Sequence, residues 1–288
     1  MATKLVIFNK QIPSYIPSFW LHLQNINYKT MEFLTILTLP FVGTTLGAAM
    51  VFLVRDRISE IANKCMLGFA SGVMVAAAFW SLLQPALEQS GGSSLGEVWP
   101  VIAGFLVGMG FLLALDTFIP HQHIDNEQPE GVRSALPRSA KMMLAVALHN
   151  IPEGMAVGVV LAGVGEGSTA LTVAGALALS IGMAVQNIPE GAIISMPLHS
   201  EGKSRTKAFA MGTLSGLVEP VAAVATILFL ENTAAAMPLL LAFAAGAMLY
   251  VVIEELIPSS QNGKHSNIGT IGFACGFALM MVFDATIG

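Results

Sequence analysis

Charge is what this 288-residue chain has least of. Asp, Glu, Lys and Arg make up 11% of it, against 55% hydrophobic residues and a mean hydropathy of +0.72. Soluble domains carry about 25% charged and about 45–50% apolar residues, so a soluble globular protein is excluded and a polytopic membrane protein is indicated. With 13 basic against 18 acidic residues, no basic surface for nucleic acid is available and no such partner is expected. Cysteine is almost absent. Cys65 and Cys275 lack CxxC spacing and fall in or beside apolar segments, which excludes a disulfide framework or a thiolate zinc site and leaves them as packing residues.

What the chain does have is long apolar runs. A helix needs about 20 apolar residues to cross a hydrocarbon core of about 30 Å. Eight segments satisfy this, at 32–53, 66–86, 98–119, 141–163, 169–196, 207–230, 236–258 and 268–287. Lys4, Lys10, Lys29, Pro13 and Pro17 interrupt every earlier run, so residues 1–31 are expected as an N-terminal tail or interfacial segment and 32–288 as the eight-helix domain. No small-residue cleavage site follows a clean apolar core there, which argues against a signal peptide.

The distribution of basic residues supports eight crossings. Arg55, Arg57 and Lys64 fall between helices 1 and 2, Arg133, Arg138 and Lys141 between 3 and 4, Lys203, Arg205 and Lys207 between 5 and 6, and Lys264 between 7 and 8. The intervening loops contain none. Basic loops face the cytoplasm, so both termini are expected outside a multi-pass protein of the cell membrane, plasma or inner, in contact with lipid.

Two apolar helices carry the same polar signature 37 residues apart: His149-Asn150-Ile151-Pro152-Glu153-Gly154 and Gln186-Asn187-Ile188-Pro189-Glu190-Gly191. A charged side chain at the bilayer centre costs about 2.5–3.5 kcal/mol on insertion scales, so intramembrane carboxylates face one another, a water path or a bound cation. Positions i and i+4 share a helix face, which lets His149 and Glu153, and likewise Gln186 and Glu190, address one ion. Asn150 and Asn187 point about 100° further round. Pro152 and Pro189 cannot donate to the carbonyls of Leu148 and Val185, so each helix is expected to kink and free an oxygen near the site. Helix 6 adds a third carboxylate before a proline, Glu219-Pro220. This set is mostly oxygen with one imidazole and no thiolate. It suits zinc, ferrous iron, manganese or cadmium better than cuprous copper, and binding loose enough for release.

These residues resemble the ZIP (Zrt/Irt-like) divalent-metal transporters, in particular the bacterial GufA-like branch: HNxPEG and QNxPEG in consecutive helices, Glu-Pro in the next, and eight helices. The resemblance covers about residues 32–288. It implies an all-α fold in which helices 1–3 and 6–8 are inverted repeats around the helix 4–5 pair. It implies a binuclear site midway across the membrane, with a first position at His149, Glu153, Gln186 and Glu190, to which Met74 adds a thioether. The second would comprise Asn150, Asn187 and Glu219, with Glu153 and Glu190 as bridges. Some members carry Asp where Asn187 stands, and loss of that charge weakens the second position. Met74 has an alternative reading as core filler, a common use of methionine. The resemblance further implies a homodimer, and movement of a divalent ion toward the cytoplasm by alternating access. Zinc is then substrate, with iron, manganese and cadmium as alternatives, and no resident cofactor is expected.

Polar residues outside the motifs suggest a route. Asp116, Glu254, Glu255, His121 and His123 collect on the expected inner side, whereas Asp284 and Glu88 lie toward the outer end. Helix-end carboxylates are equally often just solvated. Two other functional classes are weaker. An intramembrane metallohydrolase lacks HExxH and has only His149 as a histidine within a span, so no enzyme is expected. An ion channel on the same topology would show flux linear in concentration, where a carrier saturates.

Overall fold

The computed structural model describes all residues except 1–14, 54–57, 93, 123–130, 166, 231–233 and 264–265, with 15–29 and 234 described by backbone alone. Contacts divide the chain into residues 1–35 and 36–288. The expected tail over 1–31 lies partly outside the described residues; from Tyr15 onward the chain is already helical.

Among the described residues, eight helices are long and apolar enough to cross a membrane. They are α1 (Tyr15–Leu53), α2 (Glu60–Gln89), α3 (Leu95–Phe118), α4 (Arg138–Gly165), α5 (Val173–Ser200), α6 (Arg205–Phe229), α7 (Met237–Gln261) and α8 (Ile268–Thr286). Side-chain caps set several starts. Ser59 accepts from Ala62 N–H before α2, Thr172 from Gly175 N–H before α5 and Ser204 from Lys207 N–H before α6, while Ser94 and Glu97 form a capping box before α3. Each cap satisfies amide groups that the first helical turn leaves unpaired. Thr172 explains why α5 begins at 173 and not at 169, as hydropathy alone suggests.

Three helices are irregular inside the bundle. Residues Ala78–Leu83 of α2 and Val252–Leu256 of α7 form π turns. The amides of Gln84 and Ile257 reach back five residues, to the carbonyls of Phe79 and Val252. Each π turn is followed by a proline, Pro85 or Pro258. Proline cannot donate to the carbonyl four residues back, so the widened turn is a local answer to a missing donor. In α6 the helix is interrupted at Leu217, between Arg205–Gly216 and Val218–Phe229, because Pro220 conflicts with the Gly216 carbonyl.

Glycine sets the helix pairing. A Cβ at Gly68 or Gly72 of α2 would strike the α8 backbone at Gly269 or Phe273, and one at Gly104 or Gly108 of α3 would strike the α7 backbone at Leu239 or Phe243. The same holds for Gly43 and Gly47 of α1 against Ala184 and Ile188 of α5, and for Gly154 and Gly158 of α4 against Glu219 and Ala223 of α6. Small residues allow such backbone contact in membranes, where packing replaces hydrophobic exclusion as the source of association. The pairs α2·α8 and α7·α3, like α1·α5 and α6·α4, exchange when helices 1–3 are swapped with 6–8 and 4 with 5. The matched π turns of α2 and α7 exchange too. This is the arrangement of two repeats around a central helix pair. The main apolar cluster is built chiefly from α2, α4, α5 and α7.

The ends of the bundle agree with the alternation of basic loops. Arg138, at the start of α4, lies 3.7 Å from Glu201 after α5, and Gly263 after α7 lies beside Glu60 and Lys64 of α2.

Candidate metal centre

The polar residues of α4, α5 and α6 meet inside the bundle. Asn150, Glu153, Gln186, Asn187, Glu190 and Glu219 are all buried, Glu153 completely. Two environments result, differing in the kind of atom presented.

Around Glu219 donors predominate. Thr44 Oγ1 of α1 donates to Oε1 at 3.0 Å, Asn150 Nδ2 to Oε1 at 2.9 Å and Asn187 Nδ2 to Oε2 at 2.8 Å. The amide nitrogens also reach backbone, Asn150 to the Ser215 carbonyl at 3.2 Å and Asn187 to the Pro40 carbonyl at 3.3 Å. Gln186 Nε2 donates to Asn187 Oδ1 at 2.5 Å.

Around Glu153 and Glu190 acceptors predominate. Both carboxylate oxygens of Glu153, Oε2 of Glu190, Oε1 of Gln186 and Oδ1 of Asn150 are buried without a hydrogen-bond partner among the described residues. Orphaned buried acceptors are costly and call for an explanation, an ion among them. Oxygen lone pairs on two carboxylates and an amide from α4 and α5 are the donor set of a borderline-to-hard divalent cation. No three His, Cys, Asp or Glu side chains among the described residues converge closely enough to enclose an ion by themselves.

Nε2 of His149 is engaged outside the two motifs. It forms an ion pair with Glu255, carried by the π turn of α7. His149, Glu190 and Glu255 line one cavity with Gln122 and Met142, and His149 and Glu255 line a neighbouring one with Asp116, Tyr250 and Glu254. Beyond it, Asp116 accepts from Tyr250 Oη at 3.2 Å and pairs with His121 Nε2 at 3.1 Å. His121 Nδ1 lies 2.8 Å from the Ile119 carbonyl, so Nδ1 carries a proton there. A polar path therefore runs from Glu190 toward the end that bears the basic loops.

Most other residues suggested by sequence occupy the fringe. Met74 is fully buried within the main apolar cluster. Glu254 is exposed, Asp284 is half-buried near the end of α8, and Glu88 is bonded to Gln84 at 3.0 Å. His123 lies outside the described residues. Thr44 escaped sequence reasoning, although a threonine four residues after Pro40 in an apolar span is a detectable signal. The pairing of Glu255 with His149 is tertiary and leaves no mark in local sequence.

Residues 116–284 match the sequence profile of a family described as "ZIP Zinc transporter". The chain is 39% identical over 253 residues to zinc transporter ZIPB of Bordetella bronchiseptica, covering 86% of this chain and 79% of that protein. It is 36% identical over 251 residues to zinc transporter GufA of Myxococcus xanthus, covering 85% and 96%. To zinc transporter ZIP11 of Homo sapiens it is 31% identical over 323 aligned positions, covering 85% and 94%.

Proposed function

Because this chain belongs to the ZIP zinc-transporter family, we propose that it carries divalent metal ions, zinc foremost, across the membrane toward the cytoplasm. The observation that carries this reading is the set of buried oxygens on Glu153, Glu190 and Gln186 that have no hydrogen-bond partner among the described residues. The first ion position is His149, Glu153, Gln186 and Glu190, with Met74 of α2 as a candidate thioether ligand. The second position implied by the family, Asn150, Asn187 and Glu219, borders it. Iron, manganese and cadmium fit the same donors and compete with zinc.

In this reading the ion enters from the outer side near Glu88 and Asp284, with both termini on that side. At the midplane it is coordinated by the two motifs and stripped of part of its hydration. Glu255 draws His149 away, and the ion moves on past Asp116 and His121. Alternating access follows if the helices bearing the motifs rock against the rest and expose the site to one side at a time. No bond is made or broken in the substrate, consistent with transport and not with an enzyme.

The test is zinc uptake into proteoliposomes with a trapped fluorescent indicator, comparing the wild type with Glu190→Ala and His149→Ala. Saturable uptake that either change abolishes or strongly weakens is the expected result. A flux that rises linearly with zinc concentration, or survives both changes, overturns the carrier reading.

A further inference from the structure

Glu219 is held by side chains from three other helices: Thr44 of α1, Asn150 of α4 and Asn187 of α5. An ionised carboxylate only accepts, so the NH₂ groups of both asparagines must face it and their oxygens must turn away. Asn187 Oδ1, turned away, accepts from Gln186 Nε2. Apart from Glu153 and Glu190, which the first position also uses, the atoms that would ligate a second ion are thereby already used, Glu219 by three donors and Asn187 by Gln186. The exception is Asn150 Oδ1, a single neutral oxygen. A cation placed between Asn187 and Glu219 would meet N–H hydrogens. The first position is opposite in character: acceptor oxygens on Glu153, Glu190 and Gln186 have no hydrogen-bond partner among the described residues.

We propose that this chain holds a single ion at the midplane, in the position of Glu153 and Glu190, and that the donors of Thr44, Asn150 and Asn187 stand where relatives with Asp at this place would bind a second ion. The inference rests on the reading of the Glu153 cluster as a cation site. Its physical core is the residue at 187. An aspartate there would set two carboxylates face to face, which repel unless a cation or a proton lies between them. Asparagine is nearly the same shape but presents the positive end of an N–H dipole, and so closes the gap without an ion. Glu219 becomes a positioning residue that ties α1 and α6 to the motif helices, and Gln186, anchored through Asn187, keeps Oε1 for the ion.

The experiment uses the purified full chain in detergent, loaded with zinc and desalted. Zinc per chain is counted by mass spectrometry as the difference between each protein and its Glu153→Ala counterpart, which removes ions bound elsewhere. Zinc X-ray absorption then reports any metal–metal distance, about 3.5–4 Å in two-metal sites. The expected result is a difference of one zinc in the wild type with no metal–metal signal, and of two zincs in Asn187→Asp with the signal present. Glu219→Gln, which keeps the size and an acceptor at 219, is expected to retain the one Glu153-dependent zinc. Two zincs with a metal–metal signal in the wild type overturn the inference, as does loss of a zinc in Glu219→Gln or a folded Asn187→Asp that still holds one. A wild-type difference of zero overturns the underlying transport reading instead, so the two failures are told apart.

Discussion

His149 of α4 and Glu255 of α7 are ion-paired, which holds the only imidazole of the repeated motifs on a carboxylate outside them. The pair takes up Nε2 of His149, so Glu255 competes with the substrate for that nitrogen. Glu255→Gln weakens the competitor by exchanging a charge-assisted bond for a neutral one, a difference of about 1.4 kcal/mol or roughly tenfold. Zinc uptake in proteoliposomes should then show a KM and a kcat that both fall by up to about tenfold. A raised KM would show instead that Glu255 binds the incoming ion.

Zinc should stabilise the fold, because ligation satisfies the buried oxygens of Glu153 and Glu190. At about 100 times Kd the gain is about 2.7 kcal/mol, visible as a raised Tm in detergent that a chelator reverses. Glu153→Gln replaces a carboxylate by an amide and should lose most of the zinc-dependent shift while unfolding near the wild-type temperature without metal. An equal zinc shift in both proteins would place the ion elsewhere.

Acidification should weaken uptake. Ligands must be deprotonated to bind metal, so each ion bound by His149, Glu153 and Glu190 competes with protons. Protons and zinc compete for the same lone pairs, so the sign is the same for each ligand: apparent KM for zinc rises as pH falls. Initial rates across zinc concentrations at fixed external pH check this. A KM that falls on acidification would contradict it.

Two glycines on α3 give an internal control on packing. A Cβ at Gly108 would enter the Phe243 carbonyl of α7, whereas one at Gly110 meets nothing within 4 Å. Gly108→Ala should lower the Tm by the equivalent of about 1–3 kcal/mol, the usual cost of overpacking. Gly110→Ala should leave it unchanged or raise it, since alanine favours helix over glycine by about 1 kcal/mol. Equal effects would mean that the α3·α7 approach is not set by glycine.

The sequence disclosed the bundle through physics that needs no tertiary information. Spanning length and the alternation of basic loops identify eight crossings because bilayer thickness and surface charge act on each segment separately. Burial of Asn150, Glu153, Gln186, Asn187 and Glu190 was legible too, from the cost of placing such groups in an apolar span. The π turns of α2 and α7 were not, since a widened turn leaves no mark in helical periodicity over so few residues; Pro85 and Pro258 were the local signs. Nor was the division between donors at Glu219 and acceptors at Glu153. It depends on Thr44 arriving from a helix more than a hundred residues away in sequence, and on which end of each amide faces which carboxylate.

The glycine seams join the helices in four pairs, α1 with α5, α4 with α6, α2 with α8 and α3 with α7, each welded by close backbone approach. Between α4 and α7, which belong to different pairs, His149 and Glu255 form a side-chain rivet. If the helices bearing the motifs rock as proposed, a disulfide engineered along a seam should leave the carrier running. One engineered across the joint, between α4 and α7, should stall it until reduced.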